Sequence, residues 1–314
     1  SGVTATRPVQ MSLSVERLPE TRNSPGILPV IKADAYGHGM LAIAGVLDEL
    51  GVNIFAVSDV RDGIILRDHG VSKPILLLEC LLPGFVKAIV DYRLTPTVCS
   101  IPFASALNRY AKEVNRKIDV HIDVDTGMSR FGVWHEEARD LIKRIMQFSN
   151  LTVEGIYTHF PVADTDRNFT NRQIKLMSEL LADISRQGER IPYVHAANSM
   201  GLAGYRRSIL NLVRPGLMLY GLYPGQKLRS KIRLKPAMSV KTKIVFVKNI
   251  TKGRGISYGH TFVAPRDMTV ATLPIGYSDG YFRCFSNNAE VLIGGQRCPV
   301  IGRVTMDQIM VDVS

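Results

Sequence analysis

Short apolar runs alternate with amphipathic segments up to about residue 225 of this chain. Eight of the runs have the length of strands, and they cover residues 27–31, 54–57, 74–78, 95–98, 119–124, 152–159, 192–196 and 212–220. Between them, apolar residues return at steps of three and four, as in helices, over residues 40–50, 60–69, 85–91, 103–114, 136–148 and 170–187. Eight strands that alternate with helices predict a parallel (β/α)8 barrel of the triosephosphate isomerase type rather than an open doubly wound sheet.

Beyond Met238 the pattern changes to strand-like segments separated by glycine turns, without helical periodicity. These segments cover residues 240–250, 269–275, 289–293, 299–304 and 308–313. We therefore expect an α/β barrel over residues 1–230 and an all-β domain over residues 231–314. The last segment stops next to Ser314, so we also expect this β domain to be truncated relative to its natural length.

The length of the apolar segments and the spacing of the cysteines limit which kinds of protein this chain can be. No segment is apolar for long enough to cross a bilayer, so we expect a soluble, cytoplasmic protein without a membrane partner. The spacing of the cysteines matches no metal site, redox motif or disulfide framework, so we expect free thiols and no metal; the cysteines are Cys80, Cys99, Cys284 and Cys298.

The net charge is +11, and residues 227–254 contain no Asp or Glu. A nucleic-acid-binding module is one interpretation of this basic stretch, and it predicts steeply salt-dependent binding. The stretch has no recognised motif and no ladder of aromatic residues, which favours a solvated linker face. We therefore expect no nucleic-acid partner.

Polar residues follow five of the predicted barrel strands at the point where each strand ends. They are Lys32, Asp125 to Arg130, His159, Asn198 with Ser199, and Arg214 to Gly216. Each has a plain structural explanation as a surface ion pair, a core histidine, a helix cap or a bend. Because the carboxyl ends of barrel strands meet at one mouth, where barrel chemistry gathers, their convergence favours a functional site.

Two of these groups indicate a particular cofactor. Asn198 and Ser199 before a helix start, together with backbone amides near Gly216, predict a phosphate site after strands seven and eight. The lysine at the same mouth, Lys32, can condense with an aldehyde. Pyridoxal 5'-phosphate carries both groups, whereas no P-loop or dinucleotide fingerprint is present.

Several segments match, in the same order, the motifs of alanine racemases, and the chain resembles this family of fold type III pyridoxal-phosphate enzymes. They are VIKADAYGHG (30–39), DVDTGMSRFG (123–132), YTHF (157–160), HAANS (195–199), VRPGLMLYG (213–221), ISYG (256–259), PIGYSDGY (274–281) and GRVTMDQ (302–308). The resemblance implies a cytoplasmic homodimer with shared active sites that interconverts L-alanine and D-alanine, a peptidoglycan precursor.

The resemblance also implies the two catalytic residues. Lys32 would bind the cofactor covalently and act as the base on one face of the substrate α-carbon, and Tyr258 of the partner subunit would act on the opposite face. Inversion of a stereocentre requires such a pair, because the proton leaves from one side and returns to the other. A phenol with a pKa near 10 is a weak base at neutral pH, so we expect His159 with Arg214 behind it to supply positive charge.

The remaining roles come from the same resemblance. Arg214 would donate a hydrogen bond to the pyridine nitrogen and leave it neutral. Arg130 would contact the cofactor's phenolic oxygen and orient the substrate carboxylate. The expected cofactor-binding residues are Lys32, Tyr36, Arg130, His159, Asn198, Ser199, Arg214, Gly216 and Leu217, with the phosphate near Tyr36, Ser199, Gly216 and Leu217. The expected substrate-binding residues are Arg130, Tyr258, Tyr277, Met306 and Asp307, with Arg283 at the entrance.

One residue departs from the family pattern, and two alternative functions are open. Asp123 stands where many relatives carry a carbamylated lysine, and it shares a strand face with His121 and Asp125, so we hypothesise that its negative charge steadies Arg130. The substrate is open at this point, because a serine or broad-specificity amino-acid racemase of the same fold fits the same motifs. A non-catalytic pyridoxal-phosphate-binding protein is the other alternative, although such proteins are typically a lone barrel.

Overall fold

The computed structural model describes residues 24–314, so the part of the predicted barrel before Ser24 lies outside the described residues. The chain divides into two compact units between Met238 and Ser239. Each unit has its own sheet and its own hydrophobic core. Within residues 24–314, no helix combines the length and the apolar character that crossing a membrane requires.

The first unit is a parallel barrel, as the alternating pattern predicts. Its strands are β1 (Gly26–Ile27), β2 (Phe55–Val57), β3 (Ile75–Cys80), β4 (Thr95–Val98), β5 (Ile118–Asp125), β6 (Val133–Trp134), β7 (Leu151–Tyr157), β8 (Tyr193–His195) and β9 (Leu212–Val213). Their order is β2-β3-β4-β5-β7-β8-β9-β1, and β6 pairs only with β5. The ring closes at Val30, which forms a parallel bridge with Ala56 of β2.

The helices of this unit agree with the amphipathic segments. They are α2 (Met40–Glu49), α3 (Val60–Asp68), α4 (Val86–Asp91), α5 (Ile101–Glu113), α6 (His135–Met146), α7 (Arg167–Arg186) and the short α8 (Ser199–Gly204), while α1 (Lys32–Gly37) is an unusual turn described below. In α6 the buried residues are Ala138, Leu141, Ile142 and Ile145, which lie on one face at helical spacing. Burial of each such aliphatic side chain contributes about 1.5–3 kcal/mol.

Two predicted strands are shorter than expected. The first pairs with β9 in strand geometry only at Gly26 and Ile27, although the N–H groups of Leu28 and Val30 still donate to the carbonyl oxygens of Val213 (2.9 Å) and Pro215 (3.1 Å). The last, predicted over 212–220, stops at Val213, and Leu217–Tyr220 is a 3-10 turn. The last strand therefore ends early, and a loop follows it at the mouth of the barrel.

The second unit is all-β, as expected. Its antiparallel sheet has the order β10-β13-β16-β15-β14, and a separate hairpin joins β11 to β12. The strands are β10 (Phe246–Ile250), β11 (Gly255–Ile256), β12 (Phe262–Val263), β13 (Met268–Leu273), β14 (Glu290–Ile293), β15 (Gln296–Ile301) and β16 (Ile309–Asp312). The core of this unit includes Ala271, Leu273 and Val311. The short hairpin of β11 and β12 was not predicted, because it lies between glycine turns. The predicted strand over 240–250 is paired only from Phe246 onward.

Candidate active site

A cavity of about 340 Å³ opens at the carboxyl ends of the barrel strands. The structure brings together there all nine barrel residues that the sequence singled out, which are Lys32, Tyr36, Arg130, His159, Asn198, Ser199, Arg214, Gly216 and Leu217. Other lining residues include Ser58, Glu79 and Tyr157. Their placement follows from the parallel barrel, since every strand delivers its last residues to the same rim.

Lys32 is held at the rim by a rare backbone conformation. It begins the short element α1, in which Ala33, Asp34, Ala35 and Tyr36 all have left-handed φ angles between 51° and 56°. Each such residue costs roughly 1–2 kcal/mol relative to the right-handed form. The turn is fixed by the Asp34 carboxylate, which accepts a hydrogen bond from the Met40 N–H (2.7 Å). Strain of this kind persists where the surrounding structure compensates for it, as it does at functional sites.

The loop after β9 packs against Tyr36. A Cβ atom on Gly216 would lie 2.6 Å from the Tyr36 hydroxyl oxygen, so a larger residue there would force the Tyr36 side chain to shift. Burial raises the pKa of Tyr36, so its hydroxyl group remains a hydrogen-bond donor at neutral pH. The first N–H of the 3-10 turn, that of Leu217, has no acceptor within that turn.

The residues before α8 have a structural as well as a candidate binding role. The Asn198 side-chain oxygen caps α8 by accepting a hydrogen bond from the Gly201 N–H (2.9 Å). The Ser199 hydroxyl oxygen accepts hydrogen bonds from the Gly216 N–H (3.0 Å) and the Met218 N–H (3.3 Å). The Gly216 amide, expected to bind phosphate directly, is therefore already paired with Ser199, and the two loops are tied together.

Arg214 is 3% exposed and is held by the barrel wall. Its Nη1 lies 2.7 Å from His195 Nδ1, and its Nη2 donates to the Thr158 carbonyl oxygen at 2.7 Å. Burial lowers the pKa of Arg214 to about 10, so the guanidinium is still protonated at neutral pH. Among the described residues, no acceptor lies within hydrogen-bond distance of its Nε, which leaves one N–H available to a ligand.

His159 differs from the expectation that it carries positive charge. Its Nδ1 lies 3.4 Å from Arg214 Nη2. Burial, followed by the charge of Arg214, lowers the pKa of His159 to about 3. The imidazole is therefore neutral at physiological pH, and the positive charge of this pair belongs to Arg214 alone.

Arg130 is carried by the segment 126–132, which we call the Arg130 loop. At the start of the loop the Asp125 carboxylate accepts hydrogen bonds from the N–H groups of Gly127, Met128 and Ser129 at 2.8, 2.8 and 2.9 Å. At its end the chain returns to β5, where Val133 pairs with Val124. The Arg130 guanidinium lies over the Phe131 ring at 4.3 Å, so the loop presents it as a rigid unit.

Asp123 does not steady Arg130 in the way that the sequence suggested. No ion pair joins these two described residues, and Asp123 is 4% exposed. Burial, only partly opposed by Arg214, raises the pKa of Asp123 to about 8. The side chain is therefore mainly a neutral carboxylic acid at pH 7, and Asp125 is the carboxylate that organises the Arg130 loop.

The second unit contains the other predicted residues, which are Tyr258, Tyr277, Arg283, Met306 and Asp307. Ser278 links Met306 and Asp307, because its N–H donates to the Met306 carbonyl oxygen (3.0 Å) and its hydroxyl to the Asp307 carboxylate (3.2 Å). The neighbouring Tyr277 N–H donates to the Thr305 carbonyl oxygen at 3.0 Å. Tyr258 is 71% exposed and follows Ser257, whose φ of 62° turns the chain sharply.

Two buried histidines, His121 and His195, contact each other next to Arg214, and the sequence alone indicated no role for this pair. His195 ends β8 and its Nε2 lies 2.9 Å from Nδ1 of His121 in β5. Burial lowers the pKa of both imidazoles, so they are neutral. The ring of His121 occupies the space that a side chain at Gly155 would need. The sequence did place His195 at the end of a predicted strand, close to the barrel mouth. Its contact with His121 of β5, however, exists only in the closed barrel.

Comparison with known proteins gives one family match for each of the two units. The family model for the alanine racemase N-terminal domain matches residues 15–224, and that for the alanine racemase C-terminal domain matches residues 237–314. The alanine racemase of Halothermothrix orenii is 43% identical over 289 residues, which are 92% of this chain and 76% of that protein. The alanine racemase of Methanococcus maripaludis is 40% identical over 291 residues, which are 92% of this chain and 78% of that protein.

Solved structures give the same result. The alanine racemase of Clostridium difficile 630 matches with a TM-score of 0.87 at 36% identity, covering 94% of this chain and 78% of that one. The alanine racemase from Bartonella henselae with covalently bound pyridoxal phosphate matches with a TM-score of 0.80 at 28% identity, covering 93% of this chain and 80% of that one. The similarity thus extends over both units.

Proposed function

This chain belongs to the alanine racemase family, and from that premise we propose that it interconverts L-alanine and D-alanine with pyridoxal 5'-phosphate as cofactor. The proposal rests on one observation. An amine, a buried guanidinium and a hydroxyl group that packs against a glycine all line the same cavity. These groups come from Lys32, Arg214, and Tyr36 with Gly216. They lie on two segments that are far apart in sequence, α1 and the loop after β9, so their meeting is a property of the fold.

The cavity fits the cofactor in size and in chemistry. Its volume of about 340 Å³ lies within the range of about 300–1,000 Å³ that small-molecule sites occupy. Gly216 leaves open the space that a Cβ atom would fill, next to the Tyr36 hydroxyl group. Ser58 adds a hydroxyl that is buried at the cavity and has no hydrogen-bond partner among the described residues. Hydroxyl and guanidinium donors together with an amine suit a ligand that carries phosphate and aldehyde groups.

When bound, pyridoxal phosphate supplies an electron-withdrawing ring that acidifies the α-proton of an attached amino acid. We assign Lys32 to the cofactor's covalent linkage and to proton transfer on one face of the α-carbon. Tyr258 of the partner subunit serves the other face in a homodimer with shared active sites. The exposure of Tyr258 on a turn of the second unit supports this role, because a residue that acts in a neighbouring molecule must project outward.

Arg214 sets the electrostatics of the site. Its Nη groups are held by His195 and Thr158, and its remaining N–H would hold the pyridine nitrogen of the bound cofactor. Because a guanidinium keeps its own proton, such a partner would leave the pyridine nitrogen neutral. We assign neutral His159, whose Nδ1 lies 3.4 Å from Arg214 Nη2, to orienting the Tyr258 phenol of the partner subunit without adding charge.

The remaining residues bind and select the substrate. Arg130, on its rigid loop, binds the substrate carboxylate and the phenolic oxygen of the cofactor. Tyr277, Met306 and Asp307 of the domain over residues 231–314 close the pocket of the partner subunit and favour a small side chain, with Arg283 at the entrance. Asn198, Ser199, Gly216 and Leu217 hold the phosphate, in part through the loops that Ser199 ties together. All four cysteines are free, which is consistent with action in the cytoplasm.

Racemisation of alanine in deuterated water tests this function. The protein loaded with pyridoxal phosphate should convert L-alanine into D-alanine that carries deuterium at the α-carbon, and both Lys32→Ala and Tyr258→Phe should abolish inversion. Lys87→Ala and Tyr110→Phe are matched controls, since these hydrogen-bonded side chains do not line the cavity. Faster turnover of serine or lysine than of alanine would move the assignment to another amino-acid racemase, and no exchange at all would contradict it.

A further inference from the structure

We propose that Cys80 and Cys99 form an oxidisable dithiol in the wall of the candidate active site, and that closing it into a disulfide disturbs the Arg130 loop. The dithiol is a property of the barrel alone. Its effect on catalysis rests on the proposed function, in which Arg130 binds the substrate carboxylate.

The barrel places the two sulfur atoms in contact. Cys80 is the last residue of β3, and Cys99 directly follows β4. These parallel neighbours pair with an irregularity that sets Cys80 opposite Thr97. The Sγ atoms lie 2.7 Å apart, whereas a disulfide bond requires about 2.05 Å, so closure needs a movement of less than about 1 Å. Neither Cys284 nor Cys298 has another cysteine as a hydrogen-bond partner in the described part of the chain.

The environments of the two thiols are unequal, as reaction with an oxidant requires. The hydrogen bond between Cys80 and Cys99, assisted by the Gly132 N–H, lowers the pKa of Cys80 to about 7 against the opposing effect of burial. The same hydrogen bond, together with burial, raises the pKa of Cys99. Cys80 is exposed and Cys99 is less so. Cys80 is therefore the attacking thiolate, and Cys99 is the resolving thiol.

The dithiol is coupled to the site through Gly132, the last residue of the Arg130 loop. Gly132 has a φ of 105° and packs so closely on β5 that an added Cβ atom would lie 3.1 Å from the Asp123 carbonyl oxygen. The dipole of its N–H lowers the pKa of both thiols. Glu79, which precedes Cys80, lines the same cavity as Arg130. A disulfide replaces the charged sulfur acceptor by a weak neutral one, and it therefore loosens the end of the loop.

A small disulfide such as oxidised glutathione is sufficient as the oxidant. The Cys80 thiolate attacks one sulfur of glutathione disulfide, which forms a mixed disulfide and releases one glutathione thiolate. Cys99 then loses its proton and attacks the Cys80 sulfur, and the second glutathione leaves as a thiolate that takes up this proton. Two protein thiols are oxidised and one glutathione disulfide is reduced to two thiols, so atoms and electrons balance.

Mass mapping of the oxidised holoenzyme tests the dithiol. After treatment with oxidised glutathione and alkylation of the remaining thiols, we expect one linkage between the peptides that contain Cys80 and Cys99. Cys99→Ser should instead retain a single glutathione on Cys80, and the double variant Cys284→Ser, Cys298→Ser should still form the linkage. Unlinked Cys80 and Cys99, or a linkage to Cys284 or Cys298, would overturn the proposal.

Steady-state kinetics tests the coupling separately. Oxidation should raise KM for alanine several-fold with a smaller change in kcat, dithiothreitol should reverse the change, and Cys80→Ser, which lacks the attacking thiolate, should not show it. Linkage without a change in KM would overturn the coupling to Arg130. Because linkage is read by mass, failure of the proposed racemase activity would leave the result on the dithiol unaffected.

Discussion

Substitution of Asp123 by Asn tests the charge state that the structure assigns to this residue. Asn has nearly the shape of a protonated Asp but cannot ionise. Burial raises the pKa of Asp123 from its ordinary value of 3.8 to about 8. A pKa that is raised in the folded state means that stability is present at low pH and is lost as the pH rises through the folded-state value.

The expected magnitude follows from this shift. Between pH 4 and pH 8 the folded state holds one proton more than the unfolded state, so this residue lowers the free energy of unfolding by about 1.4 kcal/mol per pH unit. Between pH 6 and pH 7, the wild-type protein should therefore lose about 1.4 kcal/mol more stability than Asp123→Asn. The two proteins should be almost equally stable only below about pH 4, where the carboxyl group is neutral in both the folded and the unfolded state, so at pH 6 Asp123→Asn should be more stable than the wild type by about 3 kcal/mol.

Urea unfolding at several pH values measures this difference. The single tryptophan, Trp134, lies in β6 of the barrel unit, so its fluorescence reports on the unit that contains Asp123. Subtracting the two curves removes the titration of all other groups. If Asp123 were instead an ion-paired carboxylate, removing it would cost about 3–5 kcal/mol at pH 6. Such a loss, or equal pH slopes for the two proteins, would refute the neutral assignment.

Two further substitutions probe the cavity and the barrel closure. Gly216→Ala should raise the dissociation constant of pyridoxal phosphate at least about fivefold in an absorbance titration, because overpacking against Tyr36 costs about 1–3 kcal/mol. Gly204→Ala, where a Cβ atom meets nothing within 4 Å, is the control. Tyr220→Phe should lower the free energy of unfolding in urea by about 1–3 kcal/mol, because the Val30 carbonyl oxygen loses its hydrogen bond (2.8 Å). Unchanged values would contradict the packing at Tyr36 and the closure at Val30, respectively.

The barrel was predictable because its signal is repeated. Each strand is a short apolar run that is buried on both sides, and each helix has one apolar face, so errors at single segments did not change the fold. The run over 212–220 failed because apolar Leu217 and Leu219 fit a strand and a 3-10 turn equally well. The turn after Lys32 could not be predicted, since Ala33 and Tyr36 do not favour the left-handed region locally.

For the candidate site, the positions of the residues were more predictable than their protonation states. Strand ends identified Lys32, His159 and Arg214, because all strands of a parallel barrel point the same way. The charges of His159 and Asp123 depend on how deeply each is buried, which no local pattern records. The contact between Cys80 and Cys99 depends on the register of two strands, which is also a long-range property.

Reduction of the holoenzyme with borohydride, followed by peptide mapping, is the most direct test of the central claim that Lys32 holds the cofactor at the barrel mouth. Reduction makes the bond between the cofactor and its lysine permanent, so the modified residue can be identified by mass. We expect the pyridoxyl group on Lys32 and on no other lysine. A stable modification at a different lysine, or none after loading with pyridoxal phosphate, would contradict the account.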